Sequence, residues 1–349
     1  MIVGVCGFGC TGSSAILDYL REYDNISLNE MVELSFLYDP DGVLDLENAI
    51  CKTPIRYYSP DAAIKKFHRY MMTYDIRKYM ARTMNEKEYV KIVEDYVNDI
   101  TKTKWHGYWH FDKRQLPFYQ YMFKYVLGYK YMRVFDKLGC PIPKSYPNNA
   151  IMRVPVDTAT FMDRTRRFLR DMVVGMGIDV NFDNSIMVFD QPFPANKPQL
   201  VYDLFWDNCK SIIVNRDPRD LYTFVKKFVR LEACWIPYQD CQSFIEFYKH
   251  QMSICDFDDS VLMVNFEDLI YDFDNTAAKI CQFLGIEKQT HEVRYFKPEV
   301  SIGNTQLYKR YNEFADDIKM IEQQLPSYLY NFERYGEITI KEKPFLYTV

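Results

Sequence analysis

The chain opens on an unbroken apolar run, Ile2-Val-Gly-Val-Cys6, which gives way to glycine-rich sequence and then to apolar residues at helical spacing from Ser13 to about Tyr23. A short β-branched run followed by a change of period predicts a buried strand, a turn and a helix. Further strand-like runs lie within 25–37, at Ser185–Phe189, at Cys209–Val214 and at Ser260–Asn265, each running into polar or helical sequence. Between them, residues from about 45 to 175 read as mainly helical. Asp61–Tyr70 and Glu86–Tyr96 carry apolar side chains three and four residues apart. Pro141–Asn149 reads as loop, and Gly285 as the stop of a helix over about 275–283. The pattern predicts an α/β fold over residues 1–349 as a single domain, with a helical insertion at about 45–175.

The first turn carries chemistry. Gly7, Gly9 and Gly12 let backbone N–H groups wrap an anion, and a helix that starts at Ser13 adds its positive dipole end. The spacing Gly7-x4-Gly12-Ser13-Ser14 matches the P-loop pattern G-x4-G-K-[ST] except that Ser13 stands in place of Lys. The loop is suited to a phosphate but lacks the cation that grips the β- and γ-phosphates of ATP or GTP. A second anion site is suggested by Arg216 and Arg219, at a strand end and in the first turn of a helix.

Candidate acid–base groups stand near predicted strand ends, where ligands bind in open α/β sheets. Glu30 and Glu33 follow the second strand, and Asp190 with Gln191 ends the third. The segment Lys104–Arg114 gathers Trp105, His106, Trp109, His110, Lys113 and Arg114, a composition suited to a substrate cleft. His106 and His110 have metal-like spacing, but Gly107 interrupts the helix such a pair needs and no third ligand is evident, so no metal is expected. The basic run Asp163–Arg170 is read as a solvated helix face.

Composition narrows the picture modestly. The chain has 349 residues and a net charge of -5, so no global positive field attracts nucleic acid. Its nine cysteines are scattered, odd in number and without a C-x-x-C pair, which suits thiols in a reducing compartment. No run of 18 apolar residues and no basic leader is seen, so a soluble, cytoplasmic protein without a membrane anchor is expected. Aromatic residues make up 17%, a figure that fits sugar stacking and ordinary core filling equally.

Four blocks taken together are more specific. They are the lysine-less phosphate loop, Ile213-Val-Asn-Arg-Asp-Pro-Arg-Asp220, Val264-Asn-Phe-Glu-Asp-Leu269 before a helix ending Phe-Leu-Gly-Ile286, and Lys297-Pro…Ser301-Ile-Gly-Asn304. Their order resembles the sulfotransferases that use 3′-phosphoadenosine 5′-phosphosulfate (PAPS) and release 3′-phosphoadenosine 5′-phosphate (PAP). The resemblance implies a three-layer, P-loop-like α/β fold with a mostly parallel central sheet. It also implies that Gly9, Cys10, Thr11, Gly12, Ser13 and Ser14 hold the 5′-phosphosulfate. Arg216 would hold the 3′-phosphate, helped by Thr223, Lys297, Ser301 and Asn304. A family glutamate 20 to 23 residues past the loop's first basic position serves as base in the carbohydrate branch, and counting from Cys10 reaches Glu30 and Glu33. The implied reaction is in-line sulfuryl transfer to a hydroxyl or amine of a carbohydrate or glycoconjugate, with His106, His110, Lys113, Arg114 and Asp190 on the acceptor side. Two positions depart from the family: Cys10 replaces a basic residue, and Phe224 a serine, with Thr223 one residue earlier. A P-loop-type small-molecule or nucleoside kinase and a non-catalytic PAP-binding relative are the alternative readings.

Overall fold

β1 (Ile2–Gly7) carries Ile2, Val3, Val5 and Cys6 without exposed surface, and α1 (Ser13–Leu20) returns along it to β2 (Ile26–Asn29). In this computed structural model the described residues are 1–29, 32–53, 58–107, 109, 114, 116–140, 150–178, 180, 186–229, 235–287, 295–336, 340 and 343–344. The chain forms two compact units, one of residues 1–37 with 177–349 and one of residues 38–176.

The second unit contains α2 (Ser59–Met71), α3 (Glu86–Asp99), β3 (Thr101–Gly107), α4 (Phe118–Tyr121), α5 (Gly128–Lys137), β4 (Ala150–Pro155) and α6 (Thr158–Gly175). Its core joins Ile64 and Phe67 of α2 to Tyr89, Val93 and Tyr96 of α3 and Phe161 and Phe168 of α6, all buried. The Tyr96 and Phe168 rings stack at 4.2 Å. Asp61, fully buried in α2, is held by the Lys65 ammonium (2.6 Å), the Trp109 indole N–H (2.7 Å) and the Arg153 N–H (2.8 Å). Such complete pairing is what a buried carboxylate requires.

One expectation for this unit needs correction. Lys104–Gly107, within the stretch expected to be mainly helical, belongs to β3, antiparallel to β4. Alternating threonine and lysine followed by tryptophan fits a pleat whose residues are mostly exposed, as these are, and leaves no apolar period for a sequence reading to find. The loop expected over 141–149 lies outside the described residues.

The first unit resumes with β5 (Ile186–Asp190), β6 (Cys209–Asn215), α7 (Pro218–Phe224), α8 (Cys241–Ser253), β7 (Val261–Asn265), α9 (Phe266–Tyr271), α10 (Phe273–Leu284) and α11 (Ala315–Gln324). Among the described residues the sheet has five strands in the order β2-β5-β1-β6-β7, and every pairing is parallel. The strand expected within 25–37 shortens to Ile26–Asn29, and Ser35–Leu37 forms a 3-10 turn. Val3, Val5, Val188, Ile212 and Val214 share one core with Ile16, Leu17 and Leu20 of α1 and Ala277, Ile280 and Leu284 of α10. Strands covered in this way read as continuous apolar runs rather than alternating ones. The fold is thus α/β with a parallel central sheet. Its order places β1 between β5 and β6, so the carboxyl ends of all three strands lie side by side.

Candidate active site

The turn after β1 is built on left-handed backbone. Gly9, Cys10 and Gly12 have φ of 86°, 55° and 93°. Backbone of this kind is what concavities that gather N–H groups are made from, and α1 begins directly after it. Gly12 is required for a second reason, because a Cβ there would collide with the Phe266 ring. Thr11 is buried, and its hydroxyl accepts the Phe8 N–H at 3.3 Å.

Gln191, just past β5, spans the turn. Its Oε1 accepts the Gly7 N–H (3.2 Å) and its Nε2 donates to Ser13 Oγ (3.3 Å), so one amide joins the end of β1 to the start of α1. Gln191 itself has a φ of 46°. Trp235 contributes an indole whose Nε1 lies 3.0 Å from the position a Gly9 Cβ would take, while the residue stays 60% exposed. Sequence reasoning assigned neither residue to the loop. Gln191 stood in view beside Asp190, but its role depends on β5 lying next to β1.

Beside β1, the Arg216 side chain is buried beyond the end of β6. Its guanidinium lies between the rings of Phe224 (4.6 Å) and Phe266 (5.3 Å). Nη1 donates to the Cys10 carbonyl (3.0 Å) and Nη2 to the Asn304 carbonyl (2.5 Å), while Nε is sealed without a hydrogen-bond partner. Arg216 therefore ties the phosphate turn to the Lys297–Asn304 segment. That segment, expected as a loop, is two short helical turns, Pro298–Ser301 and Ile302–Asn304. Lys297 is exposed at its start, and Ser301 and Asn304 are buried. The Thr223 hydroxyl donates to the Arg219 carbonyl at 2.7 Å within α7.

Three buried carboxylates organise the surroundings. Asp217 caps α7 through the Arg219 N–H (2.8 Å), accepts the Tyr330 N–H (2.9 Å) and pairs with the Arg219 guanidinium (2.7 Å). Asp220 accepts the Gln306 N–H (2.7 Å), and Glu267 Oε1 accepts the Asp217 N–H (2.9 Å). Burial, followed by the charge of neighbouring Asp217, raises both Asp220 and Glu267, the latter to about 8. The other oxygen of Glu267 has no hydrogen-bond partner.

A separate carboxylate pair stands on the β5 side of β1. Asp190 is in register with Val5, and its backbone carbonyl accepts the Leu34 N–H at 3.3 Å, which brings residues 33–34 to the strand end. Burial and then the charge of exposed Glu33 push Asp190 up to about 7. Its Oδ1 is sealed and has no hydrogen-bond partner.

The remaining sequence candidates fall elsewhere. Glu30, His110 and Lys113 lie outside the described residues. His106 on β3 and Arg114 are exposed residues of the second unit.

The sulfotransferase domain family model matches residues 192–306, from just past Gln191 through Arg216, Glu267 and Asn304. That match spans a third of the chain, and over those residues the chain is similar to the sulfotransferases. No curated protein matches the chain. Among solved structures it resembles the sulfotransferase domain of the Synechococcus PCC 7002 olefin synthase at 13% identity, covering 82% of this chain and 74% of that one, TM-score 0.39. It also resembles the sulfotransferase domain of the curacin biosynthetic pathway, at 11% identity with 95% and 98% covered, TM-score 0.39. A third is the sulfotransferase STF9 of Mycobacterium avium, at 12% identity with 97% and 78% covered, TM-score 0.36.

Gln191→Ala removes two of the bonds that hold the turn, so the loop must be ordered at the expense of binding. PAP affinity is expected to fall by about 1–3 kcal/mol, the sum of two such bonds, as measured by calorimetry. Unchanged affinity would show that the turn is ordered without Gln191.

Glu267 gives a prediction about stability. Its proton is held to about 8 in the folded chain, whereas an unfolded glutamate releases it near ~4.3. Between these values the native state binds more protons, so stability falls as pH rises. Glu267→Gln should flatten that fall in urea unfolding measured from about pH 5 to pH 8. An identical slope in the variant would mean that Glu267 is ionised in the folded protein.

Proposed function

We propose that the protein transfers the sulfuryl group of PAPS to a hydroxyl or amine of a carbohydrate or glycoconjugate acceptor, with Asp190 taking the acceptor's proton. The observation that carries this reading is the placement of Asp190. It is a half-buried carboxyl with an unpartnered oxygen, next in sequence to the glutamine that clamps the phosphate turn.

PAPS supplies an activated sulfuryl group on a phosphosulfate anhydride. The backbone and hydroxyls of residues 9–14 are assigned to its 5′ end. Arg216, Lys297 and Ser301 are assigned to its 3′-phosphate, and Asn304 supports them through its carbonyl bond to Arg216. Thr223 acts indirectly, since its hydroxyl is engaged within α7.

An aliphatic hydroxyl gives up its proton only to a positioned base, and a base works best with a pKa near the working pH. Asp190 at about 7 meets that condition, and its elevation arises from burial and from Glu33. Of the glutamates counted from the loop, Glu33 thus sits beside the base. The exposed Trp235 indole next to Gly9 offers a flat face for a sugar ring. His106, His110, Lys113 and Arg114 remain assigned to the acceptor on composition. We also assign the protein to the cytoplasm, where buried thiols such as Cys6, Cys241 and Cys281 stay reduced. No helix among the described residues is long and apolar enough to cross a membrane.

Calorimetry with PAP, and with ATP in the presence and absence of Mg²⁺, tests the site. Metal-independent binding of PAP, tighter than ATP, is expected. Mg²⁺-dependent ATP binding with indifference to PAP would replace this reading with a kinase.

Asp190→Asn should leave PAP affinity unchanged and lower turnover by ~10²–10⁴. In the parent enzyme kcat should rise with pH through about 7 as Asp190 loses its proton. A variant that keeps both the rate and that rising limb would exclude Asp190 as the base.

A further inference from the structure

In the second unit, α4, a π turn (Met122–Leu127) and α5 run on as one helical stretch. Along it Phe123, Leu127, Tyr131, Val134 and Leu138 are 76%, 55%, 69%, 56% and 70% exposed. They recur at steps of four, four, three and four residues, the period that puts side chains on one helix face. Tyr125, off that period, is buried. Scattered exposed apolar residues need no explanation, but a continuous stripe of this length does.

The stripe's neighbours say what it fits. Lys130, Arg133 and Lys137 are exposed on the same helix, with Asp136 the acid among them, in a chain whose net charge is -5. We propose that this helix docks the protein on an anionic membrane surface. It lies flat, with its aromatic and aliphatic stripe at the boundary of headgroups and acyl chains and its cations on lipid phosphates. A helix of about 20 residues lying this way covers roughly 30 Å of surface. Lysine and arginine suit the border of such a stripe, since their stems pack against apolar surface while their charges reach the headgroups. A second copy is a poor occupant. In a two-fold contact the same patch meets itself, so three cations from each copy would be brought together across the stripe. The docking is peripheral and requires no spanning segment.

Co-sedimentation of the full chain with vesicles tests the proposal. Vesicles of phosphatidylcholine with phosphatidylserine are compared with phosphatidylcholine alone, at low and high salt. The wild type should bind the anionic vesicles at least tenfold better, and lose that binding as salt rises. Two variants, Leu127→Glu with Leu138→Glu and Lys130→Glu with Arg133→Glu and Lys137→Glu, should each bind at least tenfold more weakly. Both should retain wild-type PAP affinity, which shows that they are folded. Equal binding to both vesicle types, or to neither, overturns the proposal. So does a dimer in sedimentation velocity that the double leucine variant converts to a monomer, which would make the stripe an interface between copies. Because vesicle binding is read without PAPS, either result leaves the assignment of sulfuryl transfer where it stands.

Discussion

The Arg216 guanidinium has no water to turn to, and the architecture of the site follows from that constraint. A buried cation must find hydrogen-bond acceptors or lose several kcal/mol to desolvation. Here the acceptors are main-chain carbonyls at Cys10 and Asn304, 206 and 88 residues away in sequence. Two aromatic rings cover its remaining faces. Because one side chain serves both loops, neither can shift without leaving a charged donor unpaired. The glycine turn after β1 thus gains from tertiary structure a rigidity that its own composition would not give it.

The carboxylates around Arg216 extend the same logic to backbone. Asp217, Asp220 and Glu267 accept N–H groups at residues 217, 219, 306 and 330, none of which is served by a strand ladder at that point. Each carboxylate is costly to bury, and each is retained because it satisfies main chain that would otherwise be orphaned. The run Arg216-Asp-Pro-Arg-Asp220 therefore organises four separate segments of the first unit.

Local signals were readable in the sequence, while long-range partnerships were not. The unit β1–turn–α1 announces itself because a strand buried on both faces must be apolar throughout, and because left-handed turns favour glycine. Arg216 stood out as a candidate from its strand-end position. Its bonds to Cys10 and Asn304 were not, since they depend on which strands become neighbours. Gln191 and Asp190 are informative in the same way. Both stand at a visible strand end, but only the order β5-β1-β6 turns one into a loop clamp and the other into a half-buried carboxyl beside Glu33. β3 was missed for the opposite reason, because its lysines and threonines face water and carry no hydrophobic period.

Cys10 stands where the sulfotransferases that the loop resembles carry a cation, and charge placement reconciles this with the anion binding proposed for the turn. The Arg216 charge reaches the turn through the Nη1 bond to the carbonyl of Cys10, the residue whose side chain would otherwise carry the cation. Charge counts for more there than on the surface, because little solvent lies between it and the turn. That advantage would vanish if the nearby carboxylates cancelled it. Asp217 is committed to Arg219, while Glu267 and Asp220 are both raised by burial, so near neutral pH they keep part of their protons. The arginine itself stays charged despite burial, as guanidinium groups do. Burial thus acts in opposite directions on the two kinds of group. It suppresses the negative charges and leaves the positive one, and the field that remains at the turn favours an anion.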